Sequence, residues 1–162
     1  MLGLVERDDR FGTDRTTSAV LDFPSGQSIF TVGTAPNTVR VGVIGVGSVE
    51  TPYITIAEAT AGLCFRDPAE SIQHYYPALD AASDVIVVLS HNGYTDGGYG
   101  YGFTVYGDQT LATKLNTAGT PVNLIIGGHS HTDVTTATVV GNTTVVQAHY
   151  AGRKVGRADV SY

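Results

Sequence analysis

The segment that decides the fold is DVIVVLSHNG, residues 84–93. Residues 84–90 form a nearly continuous apolar run, which is typical of a parallel β-strand that is buried on both faces. His91 follows this run directly. Because ligands in open α/β sheets bind beyond the carboxyl ends of parallel strands, the segment predicts both a central strand and a candidate site residue.

Helices and strands alternate around this segment. Asp67 and Pro68 form a helix start, and apolar residues at helical spacing continue that helix to residue 83. A second helix is predicted over 108–118 and a second buried strand over 122–126. This alternation predicts an α/β fold.

Runs rich in β-forming residues flank two turns, one at 35–37 and one at Gly141-Asn142. The runs cover 28–32 and 39–44 at the first turn, and 135–140 and 143–147 at the second. A mixed sheet with flanking helices and a C-terminal β-hairpin is therefore expected, in a domain of α/β class (α+β under some schemes).

The two ends of the chain carry weaker signals. Residues 1–27 are polar and turn-rich without periodicity, so an irregular lead-in is expected there, followed by one domain over 28–162. A final strand is predicted over 155–160.

Composition excludes several functional classes. With 42% hydrophobic and 15% charged residues, a packed globular domain is expected. The formal net charge of −6 argues against a nucleic-acid partner, because phosphate backbones require clustered positive charge. No membrane partner is expected, since no apolar run approaches the roughly 20 residues of a membrane span. The first residues lack the pattern of a signal peptide.

Three histidines are the candidate metal ligands. His91 follows the first buried strand, and His129 and His131 follow the second after two glycines. Residues two apart in an extended segment point the same way, so the last two side chains are expected on one side. Neutral imidazole suits zinc and comparable transition metals, so a metal site is predicted at this edge of the sheet.

The histidines also have ordinary interpretations. Taken alone, a histidine at a strand end such as His91 is more often a hydrogen-bonded structural residue than a ligand. His74 lies in the middle of a predicted helix and is expected to be solvated or packed. His149 fits either a position in the same cleft or an exposed rim beside basic residues.

Four strings follow one another along the sequence. They are VRVGVIG at 39–45, VIVVLSHNG at 85–93, LIIGGHSHT at 124–132 and VVQAHYAGRKVGR at 145–157. In order and spacing they resemble consecutive motifs of the 5'-nucleotidase family of the calcineurin-like metallophosphoesterases. The resemblance covers about residues 28–162, and GGHSH at 127–131 is its most specific part.

The resemblance implies a metal-dependent phosphoester hydrolase that acts on nucleotides, similar to 5'-nucleotidases and 2',3'-cyclic phosphodiesterases. It implies the C-terminal half of a four-layer α/β/β/α sandwich and a site for two divalent metal ions, Zn, Mn or similar. By resemblance, His91 and His129 are ligands of one metal and His131 is a ligand of the other. Family members are commonly periplasmic, cell-surface or secreted.

The sequence departs from the family pattern in its upstream motifs. The family's upstream half carries a D-x-H pair, a G-D-x-x-D bridging aspartate and a G-N-H-[DE] motif with the catalytic histidine, and none of these strings occurs here. The chain is therefore expected to be inactive alone, with no catalytic residue assigned, and to require the missing N-terminal half or to self-associate. The alternative is a non-catalytic remnant of the family that binds a metal or a partner.

A dinucleotide-binding domain is a weaker alternative. VGVIGVGSVE at 41–50 resembles the strand-to-loop opening of a Rossmann fold, with Gly45 and Gly47 in the glycine pattern. Glu50 stands where a third glycine is expected, and Pro52 follows closely. Both the charge and the shape of these residues argue against a pyrophosphate at this position.

Overall fold

The computed structural model describes residues 27–97 and 102–161, together with the backbone of a strand at 18–22. Within these residues the chain forms one sheet of seven strands in the order β1-β2-β3-β4-β5-β7-β6. The strands are β1 Ser18–Asp22, β2 Gln27–Thr34, β3 Asn37–Gly47, β4 Val85–His91, β5 Leu124–Gly127, β6 Thr138–Val140 and β7 Thr143–Gln147.

The centre of the sheet is parallel and its margins are antiparallel. Strands β3, β4, β5 and β7 run parallel to one another. The hairpin β2–β3 and the hairpin β6–β7 are antiparallel, as is the pair β1–β2. The mixed α/β architecture confirms the predicted fold class. The parallel strands follow one direction across the sheet without the reversal of strand order that defines a dinucleotide-binding crevice, which argues against the Rossmann alternative.

In the described part of the chain, four helices connect the strands: α1 Thr51–Ile54, α2 Ala57–Thr60, α3 Pro68–Ala82 and α4 Asp108–Thr117. The predicted N-cap is confirmed, because the Asp67 side chain accepts hydrogen bonds from the backbone N–H groups of Ala69 at 2.8 Å and Glu70 at 3.1 Å. None of the described helices is long and apolar enough to cross a membrane.

Helices α3 and α4 cover one face of the sheet. Their buried residues Ile72, Leu111 and Leu115 pack in one cluster with the strand residues Val88 and Ile125. The alternate residues of the same strands point away from the helices, and Leu89 is 48% exposed. The prediction of a strand buried on both faces is therefore wrong for β4 within the described residues.

Two predictions about the ends of the chain also differ from the structure. Strand β1 lies inside residues 1–27, which were expected to be irregular, and the remainder of that lead-in before Gln27 falls outside the described residues. No strand forms over 155–160, where Val155 is 95% exposed. β7 is already paired on both sides, by β5 and β6, so it offers no free edge to a following strand.

Candidate functional site

His91 and His129 lie side by side at the carboxyl edge of the parallel strands. His91 is the last residue of β4, and His129 follows the end of β5 by two residues. Their ring centroids are 5.1 Å apart, with an angle of 64° between the ring planes. Gly128 makes this approach possible, because a Cβ at that position would lie 3.0 Å from Nδ1 of His91.

The surroundings of His91 favour its neutral form. Partial burial lowers the pKa of its imidazole below the usual 6.5, and the nearby rings of His129 and His131 lower it further. A neutral imidazole keeps one nitrogen lone pair, which is the form that binds metals. The neutral side chain therefore has a lone pair that can bind a cation at this nitrogen.

His131 lies near this pair but packs against a different neighbour. Its ring stacks on that of Tyr150, with centroids 4.9 Å apart and an interplanar angle of 26°. Across the described ranges, no three His, Cys, Asp or Glu side chains come close enough to hold one ion. His91 and His129 thus lie in contact with each other, whereas His131 lies nearby and packs against Tyr150.

The remaining histidines differ in position. The ring of His149 lies 4.6 Å from that of Tyr150, and its Nδ1 is buried without a hydrogen-bond partner in the described part of the chain. His149 therefore lies in the same region as His131. His74, in α3, is exposed at the protein surface, where it contacts Tyr75 edge to face.

The loops that carry these histidines have unusual backbone conformations. Among the described residues other than glycine, positive φ angles occur at His129 (78°), His131 (56°), His149 (65°) and Ala151 (53°). Such residues cost free energy unless the surrounding structure holds them in place, and they concentrate at functional sites. Here all four follow β5 or β7 at the same edge of the sheet.

Glu50 is a site residue that the sequence analysis missed. It is 4% exposed, and its Oε1 contacts Nε2 of His129. The sequence analysis considered Glu50 only as a poor match to a glycine motif. The signal that could have identified it is its position, three residues beyond the end of β3, because the carboxyl ends of β3, β4 and β5 meet at one edge.

A buried polar contact lies beneath the histidines on the helix-covered side. Ser90 donates a hydrogen bond of 2.5 Å from Oγ to Oδ1 of Asp108, the first residue of α4. Asp108 is fully buried, and this burial raises the pKa of its carboxyl to about 6, although the bond from Ser90 acts in the opposite direction. The contact fixes the start of α4 to the strand residue that precedes His91.

A second set of hydrogen bonds fixes the loop that carries His129 and His131. Ser130 donates from Oγ to Oε1 of the buried Gln147 at 2.9 Å. The same Oγ accepts the backbone N–H of Tyr94 at 2.9 Å. The loop after β5 is thereby held to β7 on one side and to the segment after β4 on the other.

The chemistry of this edge fits part of a metal centre. Two adjacent imidazoles are suitable nitrogen donors for a borderline divalent cation, and a buried carboxylate against one of them is the usual support of such a ligand. Two donors are fewer than such centres use, so the described residues match a portion of a site rather than a complete one.

Comparisons with known proteins agree with this interpretation. No family model matches the chain. The chain is 29% identical to the 5'-nucleotidase of Vibrio cholerae, across 76% of its own length and 25% of that protein. It superposes on a Staphylococcus aureus protein assigned to the 5'-nucleotidases with a TM-score of 0.59 and 25% identity, covering 76% of this chain and 24% of the other. For the calcineurin-like phosphoesterase YfkN of Bacillus subtilis the TM-score is 0.52 and the identity 21%, covering 75% of this chain and 41% of the other.

These similarities confirm the resemblance to the 5'-nucleotidases and calcineurin-like phosphoesterases, and they confirm the fold. The chain spans about a quarter of the length of the curated relatives that it matches.

Proposed function

We propose that the chain contributes one part of the active site of a metal-dependent phosphoester hydrolase that acts on nucleotides. His91 and His129 hold one divalent cation, Zn, Mn or similar, and His131 contributes to a second. The observation that carries this proposal is the pair of imidazoles 5.1 Å apart at the carboxyl ends of two parallel strands. The similarity to 5'-nucleotidases supports nucleotides as the substrate class.

The residues of this chain have binding and positioning roles in the proposed reaction. A divalent cation supplies Lewis-acid stabilisation of the charge on phosphoryl oxygens. His91 and His129 hold such an ion, while Gly128 allows the close approach of the two rings. The bonds from Ser130 to Gln147 and from Tyr94 to Ser130 hold the histidine loop in place. Any further ligands and the group that assists the leaving oxygen would come from residues beyond those that the structure describes.

One face of the sheet is left uncovered by the described helices, and this face supports the same division of the site. We define the open face by five side chains that lie side by side through the strand register: Val43, Val87, Leu89, Ile126 and Val146. The chain matches only a quarter of its relatives' length. We therefore infer that the upstream half of the same phosphoesterase domain covers the open face and completes the metal centre.

A calorimetric titration with Zn²⁺ or Mn²⁺ tests the metal-binding step. We expect the wild-type chain to bind one ion weakly and the variants His91→Ala and His129→Ala to lose most of that affinity. His74→Ala is the matched control, because it removes an exposed histidine from α3, away from the sheet edge. Equal affinity in all four proteins would contradict the proposal.

The alternative is a non-catalytic remnant that binds a metal or a partner. It is favoured by the fact that no third ligating side chain joins the pair among the described residues. Under both proposals the chain alone is expected to hydrolyse nucleoside monophosphates negligibly. Titration of adenosine monophosphate into the metal-loaded chain separates them: metal-dependent binding that is lost in His129→Ala supports the hydrolase, and no binding supports the remnant.

A further inference from the structure

Glu50 is a buried carboxylate whose Oε1 meets the imidazole of His129. Only 6% of its side chain is exposed. An ionised carboxylate without a partner is costly to bury, so such a group is normally held by hydrogen bonds or by an opposite charge. The contact with His129 therefore gives the buried carboxylate a partner and is part of the packed structure at this edge.

Hydrogen bonds independent of His129 fix the backbone of the turn that carries Glu50. Ser48 follows the end of β3, and its carbonyl oxygen accepts Oγ1–H of Thr51 at 2.7 Å and the backbone N–H of Thr51 at 3.2 Å. The backbone N–H of Glu50 donates to Oγ of Ser48 at 3.2 Å. Because Gly47 pairs in register with His91, this turn starts level with the first histidine of the site.

The contact also determines which nitrogen of His129 remains available. A neutral imidazole carries a proton on one nitrogen and a lone pair on the other, and the partner of the first decides the role of the second. Here the carboxylate lies at Nε2. A proton held on Nε2 leaves the lone pair on Nδ1.

We propose that Glu50 is a positioning residue for His129: its carboxylate accepts a hydrogen bond from Nε2–H, fixes the ring and its tautomer, and leaves Nδ1 as the nitrogen that binds a divalent cation. This inference rests on the proposed function, in which His129 is a metal ligand. A carboxylate behind a ligating imidazole orients the ring and reduces its freedom to rotate. Glu50 acts through His129 and does not itself contact the ion.

The first test reads the tautomer of His129 without metal, by nitrogen–proton correlation NMR of the ¹⁵N-labelled chain at pH 8. We expect a protonated Nε2 and an unprotonated Nδ1 in the wild type. In Glu50→Gln the amide oxygen still accepts the hydrogen bond from Nε2–H, so the tautomer is expected to persist. In Glu50→Ala a mixture of tautomers is expected. A wild-type ring protonated on Nδ1, or a tautomer unchanged in Glu50→Ala, would overturn the proposal.

The second test compares the affinity for Zn²⁺ in the same variants. Loss of the supporting carboxylate is expected to weaken binding about 10–100-fold in Glu50→Ala and less in Glu50→Gln. Glu58→Gln, on the exposed surface of α2, is the matched control and should bind as the wild type does. If Gln weakens binding as much as Ala does, the carboxylate is itself a ligand and the positioning role is wrong.

The two tests separate this inference from the proposed function. If the wild-type chain binds no Zn²⁺ while the tautomer still depends on Glu50, the metal proposal fails and the positioning of His129 stands. If Zn²⁺ binds through His91 and His129 and Glu50→Ala leaves its affinity unchanged, the positioning proposal fails and the proposed function stands.

Discussion

The two faces of the sheet differ in burial although the same strands build both. In β5, Ile125 is fully buried beneath the helices, whereas Ile126 keeps 40% of its surface exposed. The same alternation occurs in β4, between Val88 and Leu89. Successive side chains of a strand point to opposite faces. Because the residues compared on the two faces are all apolar, the difference in exposure arises from the helices, which cover one face and leave the other open.

The strands thus have two apolar faces, and within the described residues only one of these faces is covered. Helices α3 and α4 supply the residues that bury Val88 and Ile125. An exposed apolar surface made of contiguous strand residues is typical of a protein that has a further binding partner. At the carboxyl edge, likewise, no third ligating side chain joins the two adjacent histidines within the described residues.

The largest expected effect compares two neighbouring isoleucines. Ile125→Ala removes a fully buried side chain from the helix-covered face and should lower the free energy of unfolding by about 2–5 kcal/mol. Ile126→Ala makes the same chemical change on the open face, where less contact is lost, and should cost less than about 1 kcal/mol. Urea unfolding of the two variants measures both values. Equal costs would mean that the open face is covered in the isolated chain.

The second prediction concerns Asp108, an ionisable side chain that is buried on the helix-covered face. The pKa of Asp108 is raised from 3.8 to about 6, so the folded state holds the proton more tightly than the unfolded state does. Its contribution to stability is therefore fully present below about pH 4 and is lost as the pH rises through 6. Asp108→Asn removes this dependence, since the amide cannot ionise. The variant should gain on the order of 3 kcal/mol relative to the wild type between pH 4 and pH 8.

Urea unfolding at several pH values, in the presence of a chelator, measures this difference. The relevant quantity is the wild-type stability minus the variant stability at each pH, because other titrating groups then cancel. The asparagine keeps an oxygen that can accept the hydrogen bond from Ser90 Oγ, so the two proteins should differ little at pH 4. A difference that does not change with pH would show that the carboxyl of Asp108 titrates normally.

Much of the fold could be predicted because its signals are local. The N-cap at Asp67, the apolar run before His91 and the turn at Gly141-Asn142 each depend on residues that are close in sequence. The strand predicted over 155–160 followed the same local rule, but β7, the strand before it in the chain, is paired on both sides, and among the described strands only β1 and β6 lie at the edges of the sheet. Edge availability is a property of the whole sheet.

The candidate site could be predicted only in part for a similar reason. His91 and His129 each follow an apolar run, so their meeting at one edge follows from parallel pairing. The contact of Glu50 with His129 joins the segments that follow β3 and β5, which are far apart in the sequence. The stacking of His131 on Tyr150 depends on positive φ angles that the residue types do not indicate.

The smallest expected effect on stability belongs to the open face itself. Leu89→Ser combined with Ile126→Thr replaces two exposed apolar side chains by polar ones and should change the free energy of unfolding by no more than about 1 kcal/mol.

The same double substitution should have a clear effect on self-association of the chain. We expect the sedimentation coefficient of the wild-type chain to rise with concentration, because copies cover each other's open face when the upstream half is absent. The double variant should sediment independently of concentration. Ile56→Thr is the control, since it removes an equally apolar side chain, 70% exposed, that lies outside the sheet. A wild-type chain that remains strictly monomeric at all concentrations would mean that the open face needs no cover, and the proposal that an upstream half-domain packs there would lose its physical basis.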